Sequence, residues 1–182
     1  MRIIAGEARG RRLATLGGED TRPTLERVKE GMFSAVHFWL PGARVLDLFA
    51  GSGQLGLEAL SRAAAHATFV DSAPEAAAVV RKNIQALGYA GKSRVLCVDA
   101  RSFLARNQDR FDVVFMDPPY RKGLLLALLG AVAAHTAPGA FVLCESEPGL
   151  ALPQAVGGLQ LQKQYAYGTV MVSRYKKERE DV

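Results

Sequence analysis

The 182-residue sequence has few residues that could bind a metal or form a disulfide. Its two cysteines, Cys97 and Cys144, lie far apart inside apolar runs, and its three histidines are scattered along the chain. Without a Cys-x-x-Cys motif or a Cys/His cluster, the sequence argues against a zinc protein and against a disulfide-stapled secreted domain. We expect reduced, buried thiols and no metal site.

Long apolar segments are also missing. The first twelve residues carry arginines and no apolar stretch long enough for a signal peptide. The uncharged run at 123–143 contains Pro138-Gly139, which leaves about a dozen apolar residues, a length that suits a core helix rather than a membrane span. We therefore expect a cytoplasmic protein without a membrane partner. The sequence shows no oligomer interface, so we expect a monomer.

Positive charge is concentrated at one end of the chain. The formal net charge is +5, and the first twelve residues contain four arginines against one glutamate: Arg2, Arg9, Arg11, Arg12 and Glu7. A local basic patch can face phosphates, and a solvated basic tail is an equal alternative on charge alone.

Strands and helices alternate through most of the chain. Apolar runs predict strands at 43–49, 66–71, 94–98, 111–116 and 140–145, with helices at 53–64, 74–87, 101–107 and 124–135. This alternation indicates a parallel sheet covered on both faces. Two more β-rich runs, at 159–166 and 169–175, indicate a closing antiparallel hairpin. The prediction is a doubly wound α/β fold with a seven-stranded, mostly parallel sheet, and the hairpin favours a Rossmann-like methyltransferase arrangement.

The residues ahead of this sheet form an extension. Residues 1–16 indicate a small β-hairpin, and 24–38 indicate an amphipathic helix. We expect a basic hairpin-and-helix extension at 1–40 and one compact domain at 41–182.

A glycine-rich loop follows the first predicted strand. The segment 51–56 matches G-x-G-x-x-G between a strand and a helix, where glycine permits a tight turn and a close approach to a ligand. Asp71 ends the next strand about 20 residues on, where a carboxylate can accept hydrogen bonds from ribose hydroxyls. A glycine-rich loop before a helix, with an aspartate at the end of the next strand, predicts an adenosine-like cofactor.

The acids around the loop indicate which cofactor. Asp47, just before the glycines, would repel a phosphate and suits a cation such as S-adenosylmethionine. Asp99, after the third strand, can accept a hydrogen bond from an adenine amino group. For either aspartate, the alternative is a structural role in a helix cap or a turn. The predicted cofactor-binding residues are Asp47, Phe49, Ala50, Gly51, Ser52, Gly53, Asp71, Ser72, Asp99 and Ala100.

The motif Asp117-Pro118-Pro119-Tyr120 follows the fourth predicted strand, at the edge where ligands of such folds bind. Two prolines fix the backbone. Asp117 and the Pro118 carbonyl could accept the N–H bonds of an exocyclic base amine, and Tyr120 offers a ring for stacking the base. Taken alone, the two prolines could instead form a rigid turn with a purely structural role. These four are the predicted catalytic residues.

With these motifs, the chain resembles the bacterial 16S ribosomal RNA guanine-N2 methyltransferases of the small-subunit methyltransferase D type. The resemblance covers essentially the whole chain and is carried by 2–6, 10–13, 21–24, 27–30, 47–62, 117–120 and 145–147. It implies a class I S-adenosylmethionine-dependent methyltransferase that leaves S-adenosylhomocysteine. The implied substrate is one guanine of 16S rRNA in an assembling 30S subunit.

The resemblance also implies roles for single residues. Asp71 and Asp99 keep cofactor positions where the family often has Glu or Asn, and the segment 24–30 would lie over the cofactor. The residues implied to contact RNA are Arg2, Arg11, Arg12, Arg22 and Arg27. Support of the active site is the alternative role for Arg27.

Three rival functions stay open. A DNA adenine-N6 methyltransferase could share the motifs, but the chain has no spare length for a target-recognition region. A nicotinamide-dependent dehydrogenase leaves Asp47 and the motif at 117–120 without a role. The third rival is a non-catalytic RNA-binding assembly factor, against which the complete loop and motif argue.

Overall fold

A computed structural model describes residues 1–17, 23–120 and 122–179. The strands are β1 (Arg44–Leu48), β2 (His66–Asp71), β3 (Ser93–Cys97), β4 (Phe111–Met116), β5 (Thr136–Ser146), β6 (Ala155–Val156), β7 (Leu159–Tyr167) and β8 (Val170–Lys177). The helices are α1 (Pro23–Val36), α2 (Gln54–Ser61), α3 (Pro74–Leu87), α4 (Ala100–Arg106) and α5 (Leu124–Ala134).

All eight strands form one sheet in the order β3-β2-β1-β4-β5-β8-β7-β6. The first five are parallel neighbours, and β8, β7 and β6 continue the sheet in antiparallel pairs. The predicted α/β class, a mostly parallel sheet closed by an antiparallel hairpin, is confirmed. The predicted count of seven strands is wrong, because Ala155–Val156 pairs with the start of β7. Two residues are too few to show a strand period, so only the pairing defines β6.

Side chains of the sheet alternate between two hydrophobic cores. Val45, Phe115 and Leu143 pack on the face covered by α1, α2 and α3. Leu46 and Met116 pack on the face covered by α4 and α5. Successive strand residues point to opposite faces, so a parallel strand buried on both sides reads as a continuous apolar run.

The structure corrects the predicted end of the first helix and the predicted burial of one cysteine. The helix predicted at 24–38 ends at Val36, and His37–Trp39 form a short 3-10 helix. Cys144 is buried as expected, but Cys97 is exposed. Cys97 ends β3, which is an edge strand of the sheet, so its thiol has fewer neighbours than the apolar run suggested.

The N-terminal segment forms the expected hairpin-like turn. Arg2 and Arg12 make an antiparallel bridge, and the Ile3 backbone N–H donates to the Arg11 carbonyl at 2.9 Å. Ile3 and Leu13 are buried in the same cluster as Val45. The hairpin is therefore packed on the α1–α3 face of the sheet.

A buried glutamate anchors this hairpin. The Glu58 carboxylate is fully buried and accepts the backbone N–H groups of Ile4 and Ala5 at 2.8 and 2.9 Å. It also forms ion pairs with Lys29 at 3.2 Å and Arg62 at 2.9 Å. Burial lowers the pKa of Lys29. One carboxylate thus ties the hairpin, α1 and α2 together.

Within the described residues, the helices are too short or too polar to cross a membrane.

Candidate cofactor and substrate site

A cavity of about 820 Å³ opens at the carboxyl edge of the parallel strands. Its volume falls in the usual range for small-molecule sites, roughly 300–1,000 Å³. It brings together most of the predicted cofactor and catalytic residues: Asp47, Phe49, Ala50, Gly51, Ser52, Asp71, Ser72, Asp99, Ala100, Asp117, Pro118, Pro119 and Tyr120. Gly53 is the predicted residue that does not line it. It precedes α2 at φ +81°, and a Cβ there would lie 3.1 Å from a Val80 methyl, so Gly53 serves the turn and its packing.

The loop after β1 has an unusual backbone. Phe49 has a φ of +127° and Gly51 a φ of +54°. A non-glycine residue in such a conformation costs on the order of 1–3 kcal/mol and persists where its surroundings hold it. The Phe49 and Ala50 N–H groups both donate to the Val70 carbonyl, at 3.1 and 2.9 Å, and hold the loop against β2.

Asp47 is buried beneath this loop, with 2% of its surface exposed. Its Oδ2 accepts the Gly56 backbone N–H at 2.9 Å. Burial raises the pKa of Asp47 to about 7. Gly56 also lets α2 pack closely on β2, because a Cβ there would lie 2.3 Å from the Phe69 ring. A buried carboxylate that lines a cavity favours a positively charged ligand.

Asp71 supports the glycine loop from the end of β2. Its Oδ2 accepts the Gly51 N–H and its Oδ1 accepts the Ala73 N–H, both at 2.9 Å. A carboxylate has about four acceptor positions, so Asp71 keeps capacity for ligand hydroxyls.

Asp99 is the N-cap of α4, the alternative role that the sequence left open. Its Oδ1 accepts the Ser102 backbone N–H at 2.9 Å, and hydrogen bonding to Ser102 lowers the pKa of Asp99. Asp99 also lines the cavity, so the cap orients the carboxylate beside the space for a ligand.

The motif at 117–120 forms the other end of the cavity. Asp117 is half-buried, Pro118 is buried, and Tyr120 is exposed. The Tyr120 hydroxyl donates to Glu145 Oε1 at 2.8 Å. Burial raises the pKa of Tyr120, and the Glu145 charge adds to that shift. Burial also raises the pKa of Glu145.

Several lining residues were not selected from the sequence. Met1 and Leu25 come from the N-terminal extension, and Arg101 and Lys122 add positive charge. Glu145 lies near the end of β5, the strand beside β4. Among the described side chains of the segment 24–30, which the resemblance places over the cofactor, Leu25 reaches the cavity wall. A signal for Glu145 was present, because it closes an apolar strand next to the 117–120 motif. Met1 carries no local signal, since long-range packing brings it there.

The arginines expected to contact RNA lie at the surface. Arg2, Arg11, Arg12 and Arg27 are exposed, and Arg22 lies outside the described residues. Two of them have partners among the described residues. Arg2 pairs with Glu26 at 3.1 Å, and Arg11 donates to the Ala86 carbonyl at 2.7 Å. Their contact with RNA stays a prediction.

Within the described ranges, no three potential ligands lie together as a metal site would require.

Comparison with known proteins gives a consistent result. The sequence model of the family described as conserved hypothetical protein 95 matches residues 1–176. Ribosomal RNA small subunit methyltransferase D of Escherichia coli strain K12 is 38% identical over 98% of this chain and 90% of its own. The solved structure of yhhF from Escherichia coli is 37% identical, with a TM-score of 0.87 over 99% of both chains.

A more distant structure shares the fold alone. The Thermus thermophilus 16S rRNA N2 G1207 methyltransferase (RsmC), solved with AdoMet and guanosine, is 22% identical and has a TM-score of 0.73. The match covers 90% of this chain and 45% of that chain. The resemblance to the small-subunit rRNA methyltransferases D is confirmed, and the chain belongs to the family described as conserved hypothetical protein 95.

Proposed function

We propose that the protein is an S-adenosylmethionine-dependent methyltransferase that acts on the exocyclic N2 amine of a guanine in 16S rRNA. The observation that carries this proposal is one cavity with acids and a glycine loop at one end and the Asp117-Pro118-Pro119-Tyr120 motif at the other. The name of the 38%-identical relative supports ribosomal RNA as the substrate.

The cofactor end of the cavity fits S-adenosylmethionine. The ligand is cationic, and Asp47 offers it a carboxylate that burial alone leaves only partly ionised near neutral pH. Asp71 would accept the ribose hydroxyls, Asp99 the adenine amino group, and the loop at 49–53 would lie against the ligand. When bound, S-adenosylmethionine would supply an electrophilic methyl group on its sulfonium.

A Cβ on Gly51 would meet no protein atom within 4 Å. The glycine is therefore not required by packing within the protein. Its φ of +54° and its place on the cavity wall suit a backbone that a ligand approaches closely. The residues present thus fit the proposed cofactor.

The motif would orient the base amine. The lone pair of an exocyclic amine is delocalised into the ring, which makes the amine a weak nucleophile. Asp117 and the Pro118 carbonyl accept its two N–H bonds and draw the nitrogen toward a tetrahedral shape. Tyr120 stacks on the base, a contact worth about 1–3 kcal/mol. Since the amine can release its proton after transfer, these residues act chiefly by positioning.

The RNA would approach a basic rim. Arg101 and Lys122 line the cavity, and Arg12 and Arg27 are exposed on the N-terminal extension. Phosphate contacts of this kind position a nucleic acid, while the target base must leave its stack to enter the pocket. We propose an assembling 30S subunit as the substrate particle and a monomeric enzyme in the cytoplasm.

The test is transfer of labelled methyl to unmodified 30S particles, naked 16S rRNA and duplex DNA in parallel. Recovery of N2-methylguanine from rRNA is the expected result. Label that appears only in DNA adenine would replace the proposal with the DNA adenine-N6 activity. A protein that binds S-adenosylmethionine but labels none of the three would instead fit a non-catalytic assembly factor.

A further inference from the structure

The proposed mechanism leaves one acidic side chain of the substrate end without a task. Glu145 lies on β5, immediately after Cys144, which pairs with Met116 of β4. Asp117 immediately follows Met116. Glu145 and Asp117 are therefore neighbours at the carboxyl edge, on strands that are about 4.8 Å apart in a regular sheet. Both line the same cavity.

Tyr120 orients the Glu145 carboxylate. The Tyr120 hydroxyl donates to Oε1 at 2.8 Å, so the ring proposed to stack on the base also holds this acid. A carboxylate has two oxygens, and among the described residues Tyr120 contacts Oε1, so Oε2 can face another donor. The acid is half-buried and burial raises its pKa, so a donor that reaches Oε2 would stabilise its ionised form.

Guanine and adenine differ at the position next to the reactive amine. Guanine carries a hydrogen on N1, beside the N2 amine, whereas adenine carries a lone pair on N1, beside the N6 amine. A carboxylate that faces N1 therefore accepts a hydrogen bond from guanine and repels the lone pair of adenine. Asp117 and the Pro118 carbonyl contact only the amine and cannot make this distinction.

We propose that Glu145 is the residue that selects guanine, with its carboxylate accepting the N1–H of the target base while Tyr120 holds its other oxygen. This inference rests on the proposed guanine-N2 activity. It assigns Asp117 and Pro118 to the amine and Glu145 to the edge of the ring. The same cavity then rejects adenine without a separate recognition region.

The experiment compares guanine with 2,6-diaminopurine at the modified position of 16S rRNA assembled into 30S particles. This analogue keeps the 2-amino group but has a lone pair on N1 in place of the hydrogen and an amino group on C6 in place of the oxygen. The change of the ratio in a Glu145 variant, rather than the wild-type ratio alone, therefore reports on Glu145. Wild-type enzyme should methylate guanine about 10- to 100-fold faster in kcat/KM, the range expected for one hydrogen bond to a charged group. The Glu145→Gln variant should narrow this ratio to a few-fold. Its amide can turn either its oxygen or its NH2 group toward N1.

Glu147→Gln is the matched control, because it removes a neighbouring carboxylate two residues along the chain. It should leave the guanine preference at the wild-type value. Binding of S-adenosylhomocysteine, measured by calorimetry, checks that each variant keeps its fold and cofactor site. A merely structural contact between Tyr120 and Glu145 would change the rate with both bases equally and leave the ratio unchanged.

Three results would overturn the assignment of Glu145. They are an unchanged ratio in Glu145→Gln, an equal change in Glu147→Gln, or wild-type enzyme that methylates both bases alike. The last result is measured on wild-type enzyme, so it can contradict the assignment even if a variant does not fold. If wild-type enzyme places no methyl on guanine N2 at all, the proposed function itself fails, and that outcome is distinct from methylation with an unchanged ratio.

Discussion

The Lys29 ammonium lies 3.2 Å from the Glu58 carboxylate, and both side chains are almost completely buried. The pair joins α1 to α2, and Glu58 also accepts two backbone N–H groups of the N-terminal hairpin. Lys29 in turn donates to the Arg2 carbonyl at 2.8 Å. The hairpin brings Met1, and α1 brings Leu25, to the wall of the cavity. The buried pair therefore holds part of the proposed cofactor site in place.

Glu58→Ala should destabilise the protein strongly, because it leaves Lys29 and Arg62 without their buried partner. Breaking a buried ion pair by removal of one member costs about 3–5 kcal/mol. Urea unfolding monitored by circular dichroism measures the loss. Glu30→Ala, on the exposed side of α1, is the control and should change the free energy of unfolding by about 0.5 kcal/mol or less. Equal losses in the two variants would show that the buried network contributes nothing special.

Asp47 should make stability depend on pH in an unusual direction. The folded-state pKa is about 7 against an ordinary value of 3.8, so between these values the folded protein keeps a proton that the unfolded chain has released. The free energy of unfolding should therefore decrease as pH rises from about 4 to about 7, by this one group's contribution. Asp47→Asn should remove that contribution, as chemical unfolding at several pH values can measure. An identical pH profile in the variant would contradict the burial effect.

Gly51 and Gly56 should respond differently to alanine. At Gly56 the added Cβ would collide with the Phe69 ring, and overpacking of this kind costs about 1–3 kcal/mol. At Gly51 the Cβ meets no described protein atom within 4 Å, so the folding cost is that of a φ of +54°, about 1–2 kcal/mol. Gly51→Ala should instead weaken S-adenosylmethionine binding in calorimetry. Unchanged affinity in Gly51→Ala would place the ligand away from this loop.

Asp117→Ala should reduce methyl transfer about 100- to 1,000-fold while S-adenosylmethionine still binds, the loss typical of removing one preorganised hydrogen-bonding partner of a transition state. Single-turnover transfer to 30S particles and calorimetry of cofactor binding separate the two effects. Asp117→Asn keeps one carbonyl oxygen and should retain more activity than the alanine variant. Strong residual transfer in Asp117→Ala would remove Asp117 from the proposed chemistry.

Arg12→Glu should weaken binding of 16S rRNA and leave cofactor affinity unchanged. Arg12 is the cleaner choice beside Arg11, since Arg11 also holds the Ala86 carbonyl and its loss would disturb the hairpin. The slope of log affinity against log salt should become shallower by about 0.7–0.9 for each lost phosphate contact. Arg106→Glu makes the same charge change on α4, at the other face of the sheet. If it weakens RNA binding as much, net charge rather than the hairpin attracts the RNA.

The succession of helices and strands could be predicted from the sequence because periodicity is a local property. The strand at Phe111–Met116 and the helix at Pro74–Leu87 have the predicted bounds. The glycine loop and the 117–120 motif were found for the same reason, since each is a short segment after an apolar run. In a parallel sheet the carboxyl ends of the strands meet at one edge, so the sequence also placed the 117–120 motif at the edge where ligands bind. The shared cavity is a finding of the structure.

Only the tertiary structure decided which distant residues complete the site. Glu58 meets Ile4 and Lys29 through packing of three separate elements, and no local pattern distinguishes it from an exposed helical glutamate. Strand register places Glu145 beside Asp117 and within reach of Tyr120. The sequence specified the local segments and their motifs. Burial and long-range pairing determined which charged side chains are solvated and which are held at the cavity, because those quantities depend on neighbours that are far apart in the chain.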